Sequence, residues 1–215
     1  MKPILLSGAA LLAASIILVS GMPAGAEESA PAALALGSKA PMADVQMKTA
    51  AGSEVSIAGV KGAKGTLVVF TCNGCPWAKK WEARIVKLGN EASKKGIGVV
   101  AINANDPSVN ATDDYANMVT RAKDRGMKFP YAMDATSDIA RAFGATRTPE
   151  AFLFDGKGLL VYHGTIDDNA DDAGAVKQPY LANAVWAVAG GKAVPVAETK
   201  SLGCGIKFRA AKTAS

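Results

Sequence analysis

Apolar residues follow two different patterns along the chain, and these patterns predict strands and helices. Continuous apolar runs over residues 66–70 and 96–103 are typical of strands buried in a parallel sheet. Between these runs, large apolar residues recur at the spacing of a helix: Trp77, Trp81, Ile85 and Leu88. They predict an amphipathic helix over residues 72–89. Because a strand–helix–strand unit crosses over with a right hand, we expect the two strands to be parallel.

Shorter patterns on either side extend this unit. Residues 43–48 and 55–57 predict an N-terminal β-hairpin. After the second buried strand, a polar helix is expected over residues 113–125, with three residues on its inner face: Tyr115, Met118 and Val119. A short helix is expected over residues 138–143, with Ser137 as its N-terminal cap.

The C-terminal part of the chain predicts antiparallel strands and a last helix. Pro149 stands at the start of a strand that runs to Asp155, a position where the missing N–H is tolerated. A tight turn leads into residues 159–164, which gives a hairpin, and a final helix is expected over residues 179–188. The elements together predict an α/β fold, in which a central mixed sheet is flanked by helices and carries an N-terminal β-hairpin extension.

Residues 1–26 have the pattern of a secretion signal. Lys2 gives a positive start, residues 4–19 are almost all apolar, and small residues follow at the spacing that signal peptidase accepts. An uncleaved anchor is the alternative, but the apolar stretch is short and interrupted for a bilayer span. We therefore expect a periplasmic or otherwise exported protein whose mature chain begins near Glu27.

The rest of the chain has the length of one domain. We expect a flexible lead-in over residues 27–36, the domain over 37–195 and a C-terminal tail over 196–215. The formal charge of +5 falls to +4 without Lys2, and no basic cluster is interleaved with aromatic residues, so nucleic-acid binding is not favoured. Three cysteines are too few for a disulfide-built scaffold, and an odd number leaves at least one thiol to explain.

Cys72 and Cys75 form a C-x-x-C pair at the point where the first buried strand turns into the predicted helix. The unpaired N–H groups and the positive end of the dipole at a helix N-terminus stabilise an anion, so a cysteine there has its thiolate favoured. The thiolate is the reactive form, and a second thiol three residues away can attack whatever the first has captured. The pair is therefore typical of a dithiol redox site.

The order of these parts resembles the thioredoxin-like superfamily, and more closely the peroxiredoxin-like branch of its exported thiol–disulfide oxidoreductases. The resemblance covers roughly residues 37–208. The segments that carry it are residues 70–76, 101–107, 148–155, 162–169 and 194–200. The C-x-x-C together with the downstream Thr-Pro makes the resemblance specific, whereas a C-x-x-C alone is only moderately so.

The resemblance implies roles for the site residues. Cys72 would be the exposed attacking cysteine and Cys75 the cysteine that resolves the mixed disulfide. Pro149 would be a cis-proline that packs against the dithiol and, with Thr148, offers backbone to an extended substrate. Trp77 either frames the substrate groove or belongs to the core.

The dipeptide between the cysteines departs from that of the relatives. Asn73-Gly74 lacks the histidine of strong disulfide oxidants, which favours a thiolate electrostatically. We therefore expect a cysteine pKa lowered mainly by the helix terminus, and a middling or reducing potential.

Several other residues have two or more interpretations. Glu150 is a candidate proton relay to the resolving thiol, or equally a strand-edge carboxylate. Asn105 or Asp106 lines the site, or both belong to an ordinary turn, which the Asn-, Asp- and Pro-rich sequence favours. Cys204 is a second resolving thiol, a link to a partner chain or an inert residue.

The sequence thus predicts an exported thiol–disulfide oxidoreductase that needs no cofactor and no metal. Its expected partners are protein or small-molecule disulfides and a membrane thiol protein as electron donor. One alternative is a thiol peroxidase with Cys75 as the peroxide-reacting residue, although Cys72 stands where the peroxiredoxin pattern has a threonine. The other is a copper-binding or copper-delivery module, in which His163 joins the two cysteines.

Overall fold

A computed structural model describes Met1 and residues 33–210. The predicted secretion signal lies outside the described residues. Within the part that is described, no helix is both long and apolar enough to cross a bilayer.

Nine strands and four α-helices make up the described chain. In chain order they are β1 (Met47–Thr49), β2 (Glu54–Val55), β3 (Gly65–Phe70), α1 (Pro76–Ser93), β4 (Ile97–Asn103), α2 (Tyr115–Asp124), β5 (Tyr131–Met133), α3 (Asp138–Ala142), β6 (Arg147–Thr148), β7 (Glu150–Asp155), β8 (Leu160–Gly164), α4 (Tyr180–Ala189) and β9 (Cys204–Gly205).

Seven strands form one mixed sheet in the order β2-β1-β5-β4-β3-β7-β8. β3, β4 and β5 are parallel, which confirms the predicted crossover through α1. The N-terminal hairpin of β1 and β2 and the later hairpin of β7 and β8 are antiparallel, as predicted. The two remaining strands, β6 and β9, pair with each other beside the main sheet.

The sheet separates two apolar layers. β3 is buried along its whole length, with Leu67 and Val69 facing one layer and Val68 and Phe70 the other. The first layer is closed by α1, α2 and α4, and the second by α3 with its following aromatic residue, Phe143. Helices therefore cover both faces, which is the condition under which parallel strands are continuously apolar.

The first helix begins later than the periodicity predicts. α1 starts at Pro76, and Cys75 is its N-cap. Proline is well suited to the first helical position because its missing N–H would be unpaired there and its φ is already helical. The helix therefore begins immediately after the second cysteine of the pair.

Two predictions about side-chain orientation are wrong. Val119 was expected on the inner face of α2 but is 37 % exposed, whereas Met118 is fully buried. Adjacent helical residues point about 100° apart, so a short helix on a sheet buries only a narrow stripe. Ser137 occupies the N-cap position of α3, but its side chain makes no capping hydrogen bond: its backbone is left-handed, with a φ of 63°, and its hydroxyl donates to the Ala104 carbonyl.

Candidate functional site

The two cysteines of the pair lie between the end of β3 and the start of α1. Cys75 is the N-cap residue, and its Sγ accepts a hydrogen bond of 3.5 Å from the Ala78 N–H. Cys72 stands four residues before the first helical residue, Pro76. The partial positive charge at the helix N-terminus therefore favours a thiolate on Cys75 rather than on Cys72, because this effect falls off within the first turn.

A buried carboxylate fixes the loop between the cysteines. Asp113 Oδ1 accepts hydrogen bonds from the backbone N–H groups of Asn73, at 2.6 Å, and Gly74, at 3.0 Å. Its other oxygen accepts from Asn105 Nδ2 at 2.9 Å. Asn105, which follows β4, is thus a buried support for Asp113, while Asp106 is partly exposed in the turn.

The side chain of Asn73 adds a second fixed point to this loop. Its amide donates to the Thr112 carbonyl at 2.8 Å and accepts from the Tyr131 hydroxyl at 2.9 Å. Asn73 is itself buried. The dipeptide between the cysteines is therefore held from both backbone and side chain, and the positions of the two sulfurs are fixed with it.

Thr148 and Pro149 form the opposite wall, and the peptide bond between them is cis, as the resemblance implied. The Thr148 hydroxyl lies 3.4 Å from Cys72 Sγ, and its carbonyl oxygen lies 3.1 Å from Cys75 Sγ. That carbonyl accepts a hydrogen bond from a protonated Cys75 and repels its thiolate. This contact therefore opposes ionisation of Cys75.

The other contacts favour a Cys75 thiolate. A hydrogen bond from the Cys72 thiol lowers the pKa of Cys75 most; burial raises it, and hydrogen bonds from Cys204, the Ala78 N–H and the Thr148 hydroxyl lower it further. The pKa of Cys75 is therefore well below that of an ordinary cysteine.

The same pairing has the reverse effect on the first cysteine. The hydrogen bond to Cys75 raises the pKa of Cys72, and burial and the Asp113 carboxylate raise it further, although the Thr148 hydroxyl lowers it. Cys72 is also only 3 % exposed, so the expectation that Cys72 is exposed is wrong. Cys75, at 4 % exposed, is as deeply buried.

The far-ultraviolet absorbance of thiolates tests this assignment. In the reduced protein we expect one thiolate to persist at about pH 6, where a free cysteine with a pKa of roughly 8.5 is protonated. Because the pKa of Cys75 is lowered, the signal should disappear only on further acidification. Cys75→Ser should lack it at this pH, and Cys72→Ala, which removes the donated hydrogen bond, should shift the titration upwards. A low-pH thiolate that survives in Cys75→Ser would contradict the assignment.

Both carboxylate oxygens of Glu150 are held by partners other than the cysteines. One oxygen accepts from the backbone N–H groups of Thr146 and Arg147, and the other lies 2.6 Å from His163 Nε2 and accepts from the Ser201 hydroxyl. Burial raises the pKa of Glu150, but the hydrogen bonds outweigh it and the net shift is downward. Glu150 is therefore an ionised anchor, which makes it a weak proton donor.

Trp77 and His163 occupy different surroundings. Trp77 is 37 % exposed beside the pair, packs against Trp81 and has the Lys80 ammonium 5.1 Å from its ring centre. It therefore belongs to the surface of the site. His163 stacks on Phe152 and lies against Glu150. Among the described residues, no group of three His, Cys, Asp or Glu side chains is arranged to hold a metal ion.

The sequence gives no sign that Asp113 belongs to the site, and it leaves the role of Cys204 open. Asp113 lies in a polar stretch where an acidic residue indicates only the start of a helix, and its bond to Asn73 spans 40 residues. Cys204, which sequence reasoning left open, packs against Cys72, Cys75 and Ala78. All three cysteines of the chain are free thiols in the structure, and they meet at one place.

Known proteins are similar to this chain in sequence and fold. The match to the AhpC/TSA family covers residues 36–163. The crystal structure of a hypothetical protein, SMc02350 from Sinorhizobium meliloti 1021, is 34 % identical, covers 83 % of this chain and 97 % of its own, and superposes with a TM-score of 0.76. The thioredoxin domain of a thiol-disulfide oxidoreductase from Bacteroides vulgatus is 23 % identical, covers 61 % of this chain and 89 % of its own, and gives a TM-score of 0.51, which shows the fold.

A curated relative is similar over a shorter stretch. The thiol-disulfide oxidoreductase ResA of Halalkalibacterium halodurans is 27 % identical over 111 residues, which are 51 % of this chain and 58 % of that protein. The chain thus spans little more than half the length of the curated relatives that it matches. The family match covers more than half of the chain, and the sheet order and the structural relatives agree with it. The chain therefore belongs to the AhpC/TSA family and has the thioredoxin-like fold.

Proposed function

We propose that this protein is an exported thiol–disulfide oxidoreductase that works through Cys72 and Cys75. The observation that carries the proposal is the pair of buried thiols at the N-terminus of α1, packed against Thr148. One thiol of the pair is biased towards its thiolate and the other towards its protonated form. The names of the ResA relatives support the same chemistry.

In the proposed reaction, the Cys75 thiolate attacks a substrate disulfide. An S–S bond forms between Cys75 and one substrate sulfur, and the other sulfur leaves as a thiolate. The Cys72 thiol then loses its proton to the departing thiolate and attacks Cys75 Sγ. The second substrate sulfur is released, so the substrate disulfide is reduced to two thiols and the pair is oxidised.

This order differs from the one that the resemblance implied, in which Cys72 attacks and Cys75 resolves. The reason is that Cys75 is the residue at the helix N-cap. The protonation of Cys72 is maintained chiefly by its hydrogen bond to Cys75. Once Cys75 is part of a mixed disulfide, that bond to a thiolate is gone and Cys72 ionises more readily.

The surroundings of the pair suggest where substrate binds. Thr148 and Pro149 present backbone beside both sulfurs, and Trp77 is a half-exposed aromatic surface next to them. We propose that an extended disulfide-containing segment binds along these three residues. Because both sulfurs are buried, such a substrate must first displace some of the residues that pack over them.

Export and recycling are proposals of the same kind. The N-terminal pattern over residues 1–26 favours an exported protein. Outside the cytoplasm thiols tend to be oxidised, so a reductase there needs a supply of electrons. A membrane thiol protein that passes electrons across the bilayer would provide it.

The reduction potential of the Cys72–Cys75 pair tests the function. Thiol trapping across a series of glutathione or dithiothreitol buffers should show a reversible two-electron couple. A value near the roughly −270 mV of thioredoxin would indicate a reductase, and one near the roughly −120 mV of DsbA a disulfide-forming catalyst. Absence of a couple, together with rapid peroxide consumption and a sulfenic acid on Cys75, would contradict the proposal and favour a peroxidase.

A further inference from the structure

The C-terminal segment of the chain lies over the dithiol. β9 pairs antiparallel with β6, and the register places Cys204 opposite Thr148. Ile206 N–H donates to the Thr146 carbonyl at 3.0 Å, and the Thr148 hydroxyl lies 3.5 Å from the Cys204 carbonyl. The segment is therefore bound to the same backbone that forms one wall of the site.

Side chains of the domain hold this segment on both sides of Cys204. Before it, Ser201 donates to Glu150 at 3.0 Å. After it, the Lys207 N–H donates to Asn105 at 2.9 Å and its carbonyl accepts from the Asp106 N–H at 2.6 Å. Buried anchors thus fix the position of the Cys204 sulfur relative to the pair.

The Cys204 thiol contacts the reactive cysteine. It packs against the cluster that Cys72 and Cys75 form with Ala78 at the start of α1. Cys75 and Cys72 therefore have a third thiol packed against them. Because Cys204 lies against Cys75, the proposed nucleophile, it is placed to react with a mixed disulfide on that residue.

We propose that Cys204 is a third redox-active thiol, which resolves the mixed disulfide on Cys75 by forming a Cys75–Cys204 disulfide. The inference rests on the proposed function. In this step the Cys204 thiol gives its proton to the departing substrate thiolate, and its sulfur attacks Cys75 Sγ. The bond between Cys75 and the substrate breaks as the new S–S bond forms. Cys72 can afterwards attack Cys75 in turn and free Cys204, which leaves the pair oxidised.

The contacts of Cys204 make this step conditional on the first attack. Burial raises the pKa of Cys204, and so do its hydrogen bond to Cys75 and the charge of that thiolate, while the Trp77 N–H and Lys207 lower it. When Cys75 enters a mixed disulfide, both contributions from Cys75 disappear. The contributions that favour a Cys204 thiolate remain, so Cys204 becomes more reactive at the moment when it is needed.

The stoichiometry of the reaction with dithionitrobenzoate, an aromatic disulfide, tests the inference. In reduced Cys72→Ser, attack by Cys75 releases one equivalent of coloured thiolate, and resolution by Cys204 should release a second. Cys72→Ser/Cys204→Ser should stop at one equivalent and keep a stable adduct. The mass of the first variant should show no adduct, and its peptides should contain a Cys75–Cys204 link.

Two neighbouring glycines supply a test that leaves every thiol in place. A Cβ on Gly203 would lie 2.2 Å from the Thr148 carbonyl oxygen, whereas a Cβ on Gly205 would meet nothing within 4 Å. In the Cys72→Ser background, Gly203→Ala should therefore displace the segment and slow the second release roughly tenfold or more. Gly205→Ala is the matched control and should release both equivalents at the parent rate.

The inference is overturned if Cys72→Ser stops at one equivalent, or if it releases two and carries an adduct on each cysteine. It is also overturned if Gly203→Ala and Gly205→Ala release the second equivalent at equal rates. The Cys72–Cys75 couple of the unmodified chain separates this failure from the failure of the proposed function. If that couple is present, only the role of Cys204 is lost; if it is absent, the proposed function fails as well.

Discussion

Replacing Cys75 by serine is expected to reduce the rate of disulfide reduction by about a thousandfold or more, because a serine hydroxyl is not ionised at neutral pH. The structure places Cys75 at the N-cap of α1, with the Ala78 N–H and the Cys72 thiol both directed at its sulfur. No other sulfur in the site has its pKa lowered: those of Cys72 and Cys204 are raised. The release of the first thiolate from an aromatic disulfide, followed in a single turnover, measures the attack itself.

Cys72→Ser is the matched variant for this prediction. It should retain the first attack, at a reduced rate because the hydrogen bond that lowers the pKa of Cys75 is missing. If Cys75→Ser instead releases the first equivalent at close to the native rate while Cys72→Ser does not, Cys72 is the nucleophile. The roles implied by the resemblance would then be correct.

Asp113→Ala is expected to lower the free energy of unfolding by about 3 kcal/mol. The substitution leaves three donors without their acceptor: the backbone N–H groups of Asn73 and Gly74 and the side-chain amide of Asn105. A buried group that loses its partner costs about 1–3 kcal/mol, and entry of water into the loop recovers part of the total. Urea unfolding of the reduced protein measures the difference.

Asp114→Ala is the control for Asp113→Ala. Asp114 is the N-cap of α2, accepts a hydrogen bond of 2.7 Å from the Asn117 N–H and lies at the helix start. Loss of such a cap costs about 1 kcal/mol. Equal losses in the two variants would show that Asp113 is an ordinary helix-start residue. Asp113→Ala should also move the potential of the dithiol, whereas Asp114→Ala should leave it unchanged.

The central part of the fold could be predicted from short stretches of sequence. β3, α1 and β4 are encoded by two continuous apolar runs and one helical stripe, and each signal lies within about 20 residues. The hairpins follow from alternating strands around turns, and the Thr-Pro step before β7 is visible as a dipeptide. These elements are determined locally because backbone hydrogen bonding and the burial of one face both repeat with a short period.

Part of the site could also be predicted from short stretches of sequence. A C-x-x-C at a strand-to-helix turn indicates a dithiol site from spacing alone, and the structure brings Thr148 and Pro149 against it. The sequence pattern does not give the exact first residue of α1. That residue decides which of the two sulfurs lies at the N-terminus of the helix. A shift of four residues in a helix boundary, from residue 72 to Pro76, is within the ordinary uncertainty of sequence patterns.

By itself, the sequence determined the order of strands and helices, the position of the dithiol between β3 and α1, and the resemblance to the thioredoxin-like superfamily. The tertiary structure alone decided that Asp113 holds the loop between the cysteines, that Cys75 has the lowered pKa and that Cys204 lies against it. The physical reason is the range of the interactions. Local propensity acts over a few residues, whereas the bond from Asn73 to Asp113 spans 40 residues and the pairing of Thr148 with Cys204 spans 56.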